Sequence, residues 1–140
     1  MRPDEFPSVY THGWTLGKPD AFLEYFLPLI STDAVFVQPG FPDAAGHAQI
    51  ARMFRRLFAL FPDLSSTPQY SAIAGDTVFI ESTCASTAGR RTIRFEACDR
   101  FVIRDGKIVL RRSYSDPTST IVALAGNPSS WPRIIKSRIR

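Results

Sequence analysis

Residues 91–115, RTIRFEACDRFVIRDGKIVLRRSYS, decide the fold. The first half alternates with a period of two: Phe95, Ala97, Asp99, Phe101 and Ile103 fall on one side of an extended chain, and Arg94, Glu96, Arg100 and Arg104 on the other. Asp105-Gly106 then marks a hairpin, with residues 107–115 as its second strand. One feature breaks the pattern, because Asp99 is the only ionisable group on the apolar side. A carboxyl group buried without compensation is driven toward its protonated form and can donate a hydrogen bond or move a proton. Beside a cross-strand arginine it is neutralised instead. The hairpin offers an arginine in either of two registers. A two-residue turn sets Asp99 opposite Arg112, with Ile108, Leu110, Arg112 and Tyr114 on its side. A three-residue loop with a glycine bulge sets it opposite Arg111, with Val109, Arg111, Ser113 and Ser115 on its side.

Upstream, the same short period continues over residues 69–74 and 77–87, separated by Gly75-Asp76 and closed by Ala88-Gly89. Helical spacing precedes it. Ile50, Met53, Phe54, Leu57, Phe58 and Phe61, with Gln49, Arg52, Arg55 and Arg56 between them, make one wide apolar stripe. A second helix is expected from Asp20, with Phe22, Leu23, Phe26 and Leu27 on one face and Pro28 ending or kinking it. A first is expected over residues 8–16, with Pro7 and Ser8 as start signals and Gly17 as a stop. Val35-Phe36-Val37 reads as a brief strand closed by the turn residues 39–43. Three helices followed by an antiparallel meander argue for an α+β domain in which helices cover one face of a curved sheet. After the meander, Asp116-Pro117 reads as a cap and first-turn proline of a short helix running to Leu124.

The 140 residues suit one domain, expected over residues 1–125, with a basic tail over residues 126–140. A composition of 44% hydrophobic and 21% charged residues lies away from that of disordered chains. The net charge of +4 suggests an acidic partner until it is located. Residues 1–131 carry 13 basic and 13 acidic side chains, so the excess is Arg133, Lys136, Arg138 and Arg140 alone. Four bases on a terminal segment read as a solvated end, and Trp131, Ile134 and Ile135 give it only a short helical face. No nucleic-acid motif accompanies them, and no nucleic-acid partner is expected. Cys84 and Cys98 make no disulfide framework or zinc spacing, and His12 and His47 add no motif, so no metal or cofactor is expected. The opening residues form no apolar signal region, and no stretch approaches the ~20 apolar residues of a membrane span. A cytoplasmic location is the expectation.

The order Lys18-Pro19-Asp20-Ala21-Phe22, Asp33-Ala34-Val35-Phe36-Val37-Gln38-Pro39, Gly46 opening the long helix, and Cys98-Asp99-Arg100-Phe101 before Arg104-Asp105-Gly106-Lys107-Ile108 resembles the nuclear transport factor 2-like superfamily. Within it, the chain is similar to SnoaL-like polyketide cyclases, ketosteroid isomerases and limonene epoxide hydrolases, over about residues 8–120. The resemblance implies a cone of antiparallel sheet capped by N-terminal helices, a cystatin-like α+β barrel, with a pocket in its mouth and a homodimer formed through the outer sheet face. By the isomerase pattern, Asp99 takes the place of the acid that donates to a developing oxyanion and Tyr10 that of its partner tyrosine. Gln38 replaces the general base and cannot accept a proton. The epoxide hydrolase's charged positions read Ser82, Cys84 and Ser113. In the cyclase pattern Asp99 stands for the histidine and Ser113 for the acid.

The candidate catalytic residues are thus Asp99, Tyr10 and Arg111, with Arg112 the alternative arginine. Trp14, Phe36, Gln38, Phe54, Phe58, Cys84, Phe95, Phe101 and Ser113 are the candidate substrate contacts. A hydrophobic, oxygenated small molecule of polyketide, terpenoid or steroid type fits that lining, handled by acid–base chemistry. A non-catalytic small-molecule binding or accessory domain with the same pocket is the alternative.

Overall fold

At Asp105 and Gly106 the backbone turns with φ of 50° and 75°, the paired positive values of a two-residue type I′ hairpin. This turn joins two strands of a six-stranded sheet in the computed structural model, which describes residues 1–116, 118, 121, 125, 126 and 128–139. The elements run α1 (Phe6–Trp14), α2 (Asp20–Phe26), a 3-10 turn (Leu27–Leu29), β1 (Ile30–Val37), β2 (Ala44–Ala45), α3 (Gly46–Leu60), β3 (Ser65–Ala74), β4 (Thr77–Ala88), β5 (Arg91–Arg104), β6 (Lys107–Ser115), a 3-10 turn (Pro128–Ser130) and α4 (Trp131–Ile139). The strand order is β2-β1-β6-β5-β4-β3. The α+β class and the helices ahead of the meander are as expected.

The sheet is mixed. β1 runs parallel to β6, and every other pair is antiparallel. The brief strand expected at residues 35–37 is therefore the end of an eight-residue strand. Ser31, Thr32 and Asp33 break its apolar run, and its register on β6 shifts between Ile30 and Val35. β3 begins at Ser65 rather than at residue 69, and Pro68 sits inside it. A proline is tolerated there because β3 is an edge strand, and the ladder slips between Pro68 and Tyr70. Helix α1 starts and ends two residues earlier than expected because Pro7 lies within its first turn, where its missing N–H costs nothing, rather than before it.

The apolar stripe of α3 is buried through Ile50, Met53, Phe54, Leu57 and Phe58. It meets Phe22 of α2 and Trp14 of α1 in an edge-to-face aromatic cluster. β5 alternates as expected, with Ile93, Asp99, Phe101 and Ile103 buried beneath the helices. Residues 131–139 are not a solvated end. They form α4, which turns Ile134 onto the core and Ser137 toward α3, where Arg56 Nε donates to the Ser137 carbonyl at 2.9 Å. Arg133 Nη1 reaches the Thr87 carbonyl at 3.2 Å. Most of the helix expected over residues 117–124 lies outside the described residues; Thr118 and Ile121, which are described, are helical. Its cap Asp116 does accept the Thr118 N–H at 2.9 Å. No helix among the described residues is long and apolar enough to cross a membrane.

Candidate functional site

The hairpin adopts neither register read from the sequence. The tight turn pairs Arg104 with Lys107 and Ile103 with Ile108, then the ladder shifts by one, so that Val102 faces Leu110 and Val109 is left over as a bulge. A bulge re-aims the side chains beyond it. Ile108 points inward before it, and Arg111, Ser113 and Ser115 lie on the inward side after it, so Asp99 stands directly opposite Ser113 and diagonal to Arg111, which faces Phe101. Arg112 is exposed on the other side and is excluded as the partner of Asp99.

Asp99 is 4% exposed and Arg111 6%. Arg111 donates to one oxygen of Asp99, Oδ2, from Nε at 3.1 Å and from Nη2 at 3.0 Å. Its third nitrogen, Nη1, donates to Gln38 Oε1 at 2.8 Å. The guanidinium carbon lies 5.6 Å from the ring centroid of Phe54 and 5.9 Å from that of Phe36, so an ion removed from water is held by a carboxylate, an amide and two aromatic faces. Of the two readings left open for Asp99, the structure shows the one paired with a cross-strand arginine, Arg111.

Tyr10 OH donates to Asp99 Oδ2 over 3.4 Å and shares a 3.2 Å hydrogen bond with Ser66 Oγ. Burial, reinforced by the Asp99 charge, pushes the Tyr10 phenol well above its ordinary value, so it stays protonated. Cys84 behaves alike. Burial is the main cause that pushes its thiol up to about 11, with the Asp99 charge adding and Ser66 and Arg111 offsetting part. At neutral pH it is a small apolar wall rather than a nucleophile.

Two buried side-chain oxygens in this neighbourhood make no protein hydrogen bond of ordinary geometry, Asp99 Oδ1 and Ser82 Oγ, although Ser82 lies near enough to the Tyr10 hydroxyl to offset a small part of its upward shift. Both residues line one cavity of about 40 Å³, together with Tyr10, Trp14, Gln38, Ser66, Cys84, Phe95, Arg111 and Ser113. A smaller cavity of about 20 Å³ adjoins it and is lined by Tyr10, Trp14, Phe36, Phe54, Phe101 and Arg111. Phe58 lines neither; it packs behind Trp14 and Phe54 as core. At ~10–15 Å³ for each water, the larger cavity admits a few waters, whereas a substrate-sized pocket needs roughly 300 Å³. An open groove of about 920 Å³ lies outside it and shares Gln38, Ala97, Ser113 and Ser115 with its lining.

Sequence reasoning left Ser66 out because β3 was read as starting after it. Ser82 was named only through the epoxide hydrolase pattern; its place in the inward series Val78, Ile80, Ser82, Cys84 was the available signal. Among the described residues no cluster of His, Cys, Asp or Glu is arranged to hold a metal ion.

A family profile described as a SnoaL-like domain matches residues 9–111. No protein of curated function matches the chain. Among solved structures, a candidate SnoaL-like polyketide cyclase from Jannaschia sp. CCS1 superposes with a TM-score of 0.77 at 16% identity, covering 89% of this chain and 92% of the other. A protein of ketosteroid isomerase-like fold from Catenulispora acidiphila, in complex with trimethylamine, gives 0.74 at 22% identity over 94% and 98%. A limonene epoxide hydrolase-like enzyme of M. tuberculosis gives 0.65 at 23% identity over 86% and 89%. At these identities the structures show a common fold.

Proposed function

The chain belongs to the SnoaL-like domain family, and from that premise we propose that it is a small-molecule enzyme whose inner face performs acid–base chemistry on a hydrophobic, oxygen-bearing compound. One observation carries the proposal: Asp99 is anchored through Oδ2 by Arg111 and Tyr10, while Oδ1 has no partner although it is buried. A buried acceptor left unmade costs about 1–3 kcal/mol, so Oδ1 is open to a partner that enters the cavity beside it, water or a ligand group. Oδ1 takes a proton from the bound molecule and returns it, while Arg111 holds the carboxylate in place. Tyr10, kept protonated, and Ser82 are the hydroxyl donors beside it. Trp14, Leu57 and Phe95 supply the apolar surface for the carbon skeleton. Gln38 closes the wall toward the outer groove through Arg111, and its displacement admits the ligand.

The ion pair itself favours a second reading. A carboxylate held in place by arginine can serve only to orient a ligand, and a cup that binds without transforming needs no more. Incubating the wild-type protein with a hydrophobic small-molecule extract and following every compound by mass spectrometry separates the two. Loss of one compound with appearance of a product supports the enzyme. Saturable retention of an unchanged compound supports the carrier. Neither result would leave the pocket without a function.

The outer sheet face exposes Tyr70, Phe79 and Tyr114, and we read it as the homodimer contact. Sedimentation tests this, with a dimer expected for the wild type and a monomer for Phe79→Glu. The free thiols Cys84 and Cys98 accord with a reducing, cytoplasmic setting.

A further inference from the structure

The two unpartnered oxygens at the cavity differ in what they can do. Asp99 Oδ1 belongs to a carboxylate whose other oxygen receives two hydrogen bonds from a guanidinium, so it offers only lone pairs. Ser82 Oγ carries one hydrogen and can donate or accept. They lie on the inward faces of neighbouring strands, where Ile80 pairs with Asp99 and Ser82 with Ala97, so Ser82 is the diagonal neighbour of Asp99 across the β4–β5 ladder. Both are buried, at 2% and 4% exposure.

One ligand group satisfies both atoms at once. A hydroxyl donates its hydrogen to Asp99 Oδ1 and accepts one from Ser82 Oγ. A bare carbonyl oxygen satisfies Ser82 but brings a lone pair against the carboxylate, and a hydrocarbon satisfies neither. Most of the donors that would welcome a carbonyl are engaged. Three of the five N–H groups of Arg111 donate within the protein, to Asp99 Oδ2 and Gln38, and Tyr10 OH lies between Asp99 Oδ2 and Ser66. We propose that the cup is selective for a hydroxyl-bearing ligand, an alcohol, phenol or enol, bound through Asp99 Oδ1 and Ser82 Oγ, and discriminates against the ketone of the same skeleton. This rests on the reading of the cup as a small-molecule site and adds the functional group that it recognises.

The discrimination is large enough to measure. A hydrogen bond to a charged acceptor is worth ~1.5–3 kcal/mol, which is about tenfold or more in affinity. A site built to hydrogen-bond a hydroxyl penalises the analogue that lacks it because its own buried groups go unpaired.

The probes are indan-1-ol, indan-1-one and indane, which share a skeleton, titrated calorimetrically into the wild type, Ser82→Ala and Asp99→Asn, each checked for folding by circular dichroism. The wild type is expected to bind the alcohol at least ~10-fold tighter than the ketone. Ser82→Ala weakens the alcohol severalfold. Asp99→Asn, whose amide can donate, collapses or inverts the preference. If Asp99→Asn does not fold, Ser82→Ala carries the test alone. Equal or tighter binding of the ketone by the wild type, or a preference that survives both substitutions, overturns the proposal while leaving the cup as a ligand site. Failure of all three probes to bind overturns the proposal together with the reading beneath it, with water the only occupant of the cavity.

Discussion

Arg111 directs both Nε and Nη2 at a single oxygen of Asp99, at 3.1 and 3.0 Å, and the second oxygen of that carboxylate is left without a partner. A structural ion pair gains most from the two parallel bonds of a fork facing both carboxylate oxygens. Here the fork converges on Oδ2, and the geometry divides Asp99 into an anchored half and an available half.

The energetic consequence is an asymmetry between single and double substitutions. Arg111→Met leaves Asp99 as an uncompensated buried charge and is expected to lower stability by about 3–5 kcal/mol. Adding Asp99→Leu removes both charges and recovers a large part of that loss. Urea unfolding at pH 7 gives the coupling, and strictly additive losses would contradict the buried pair.

Helix α1 approaches α2 through Gly13. A Cβ at that position would collide with the Phe26 ring and press on Tyr25. Alanine is the better helix former by ~1 kcal/mol, so an increase in stability would follow from propensity alone. Overpacking outweighs it, and Gly13→Ala is expected to lower stability by roughly 1–2 kcal/mol and the thermal midpoint with it. A raised midpoint would show the two helices to be further apart.

Cys84 gives a pH dependence with a fixed sign. Its folded thiol is pushed up to about 11, chiefly by burial, whereas an unfolded thiol ionises near ~8.5. The folded state therefore binds this proton more tightly. The contribution is complete below pH ~8.5 and is lost as pH rises through the folded value. Iodoacetamide labelling followed by peptide mapping is expected to leave Cys84 unmodified in native protein at pH 8 and to modify it rapidly in urea. Fast native labelling at pH 8 would contradict a buried thiol.

The sequence carried the face of β5 on which Asp99 lies, the helices that cover it and the presence of an arginine. Period-two alternation is a local property, and nothing tertiary overrode it here. The identity of the arginine depended on a bulge at Val109. The run Ile108-Val109-Leu110 is apolar throughout and hides which of its members is extra. Two errors came from residues whose meaning is set by position in the sheet. The short period places a strand from residue 69, just after Pro68, although an edge strand accepts a proline, and Ser66 falls outside that reading. Ser31, Thr32 and Asp33 concealed β1, whose pairing with β6 is supplied by a strand that lies far along the chain. The basic terminus misled for another reason. Charge reported its composition, but Ile134 and the Ser137 backbone decided where it packs.

Proton handling by Asp99 Oδ1 in the cup, as proposed, is tested by the ratio of turnover between wild type and Asp99→Asn on the compound that the wild type consumes, with binding of that compound measured for both. A positioned general acid or base is worth ~100-fold or more. A loss of at least that size is expected in Asp99→Asn while the compound is still bound. Turnover within a few-fold of wild type would contradict it.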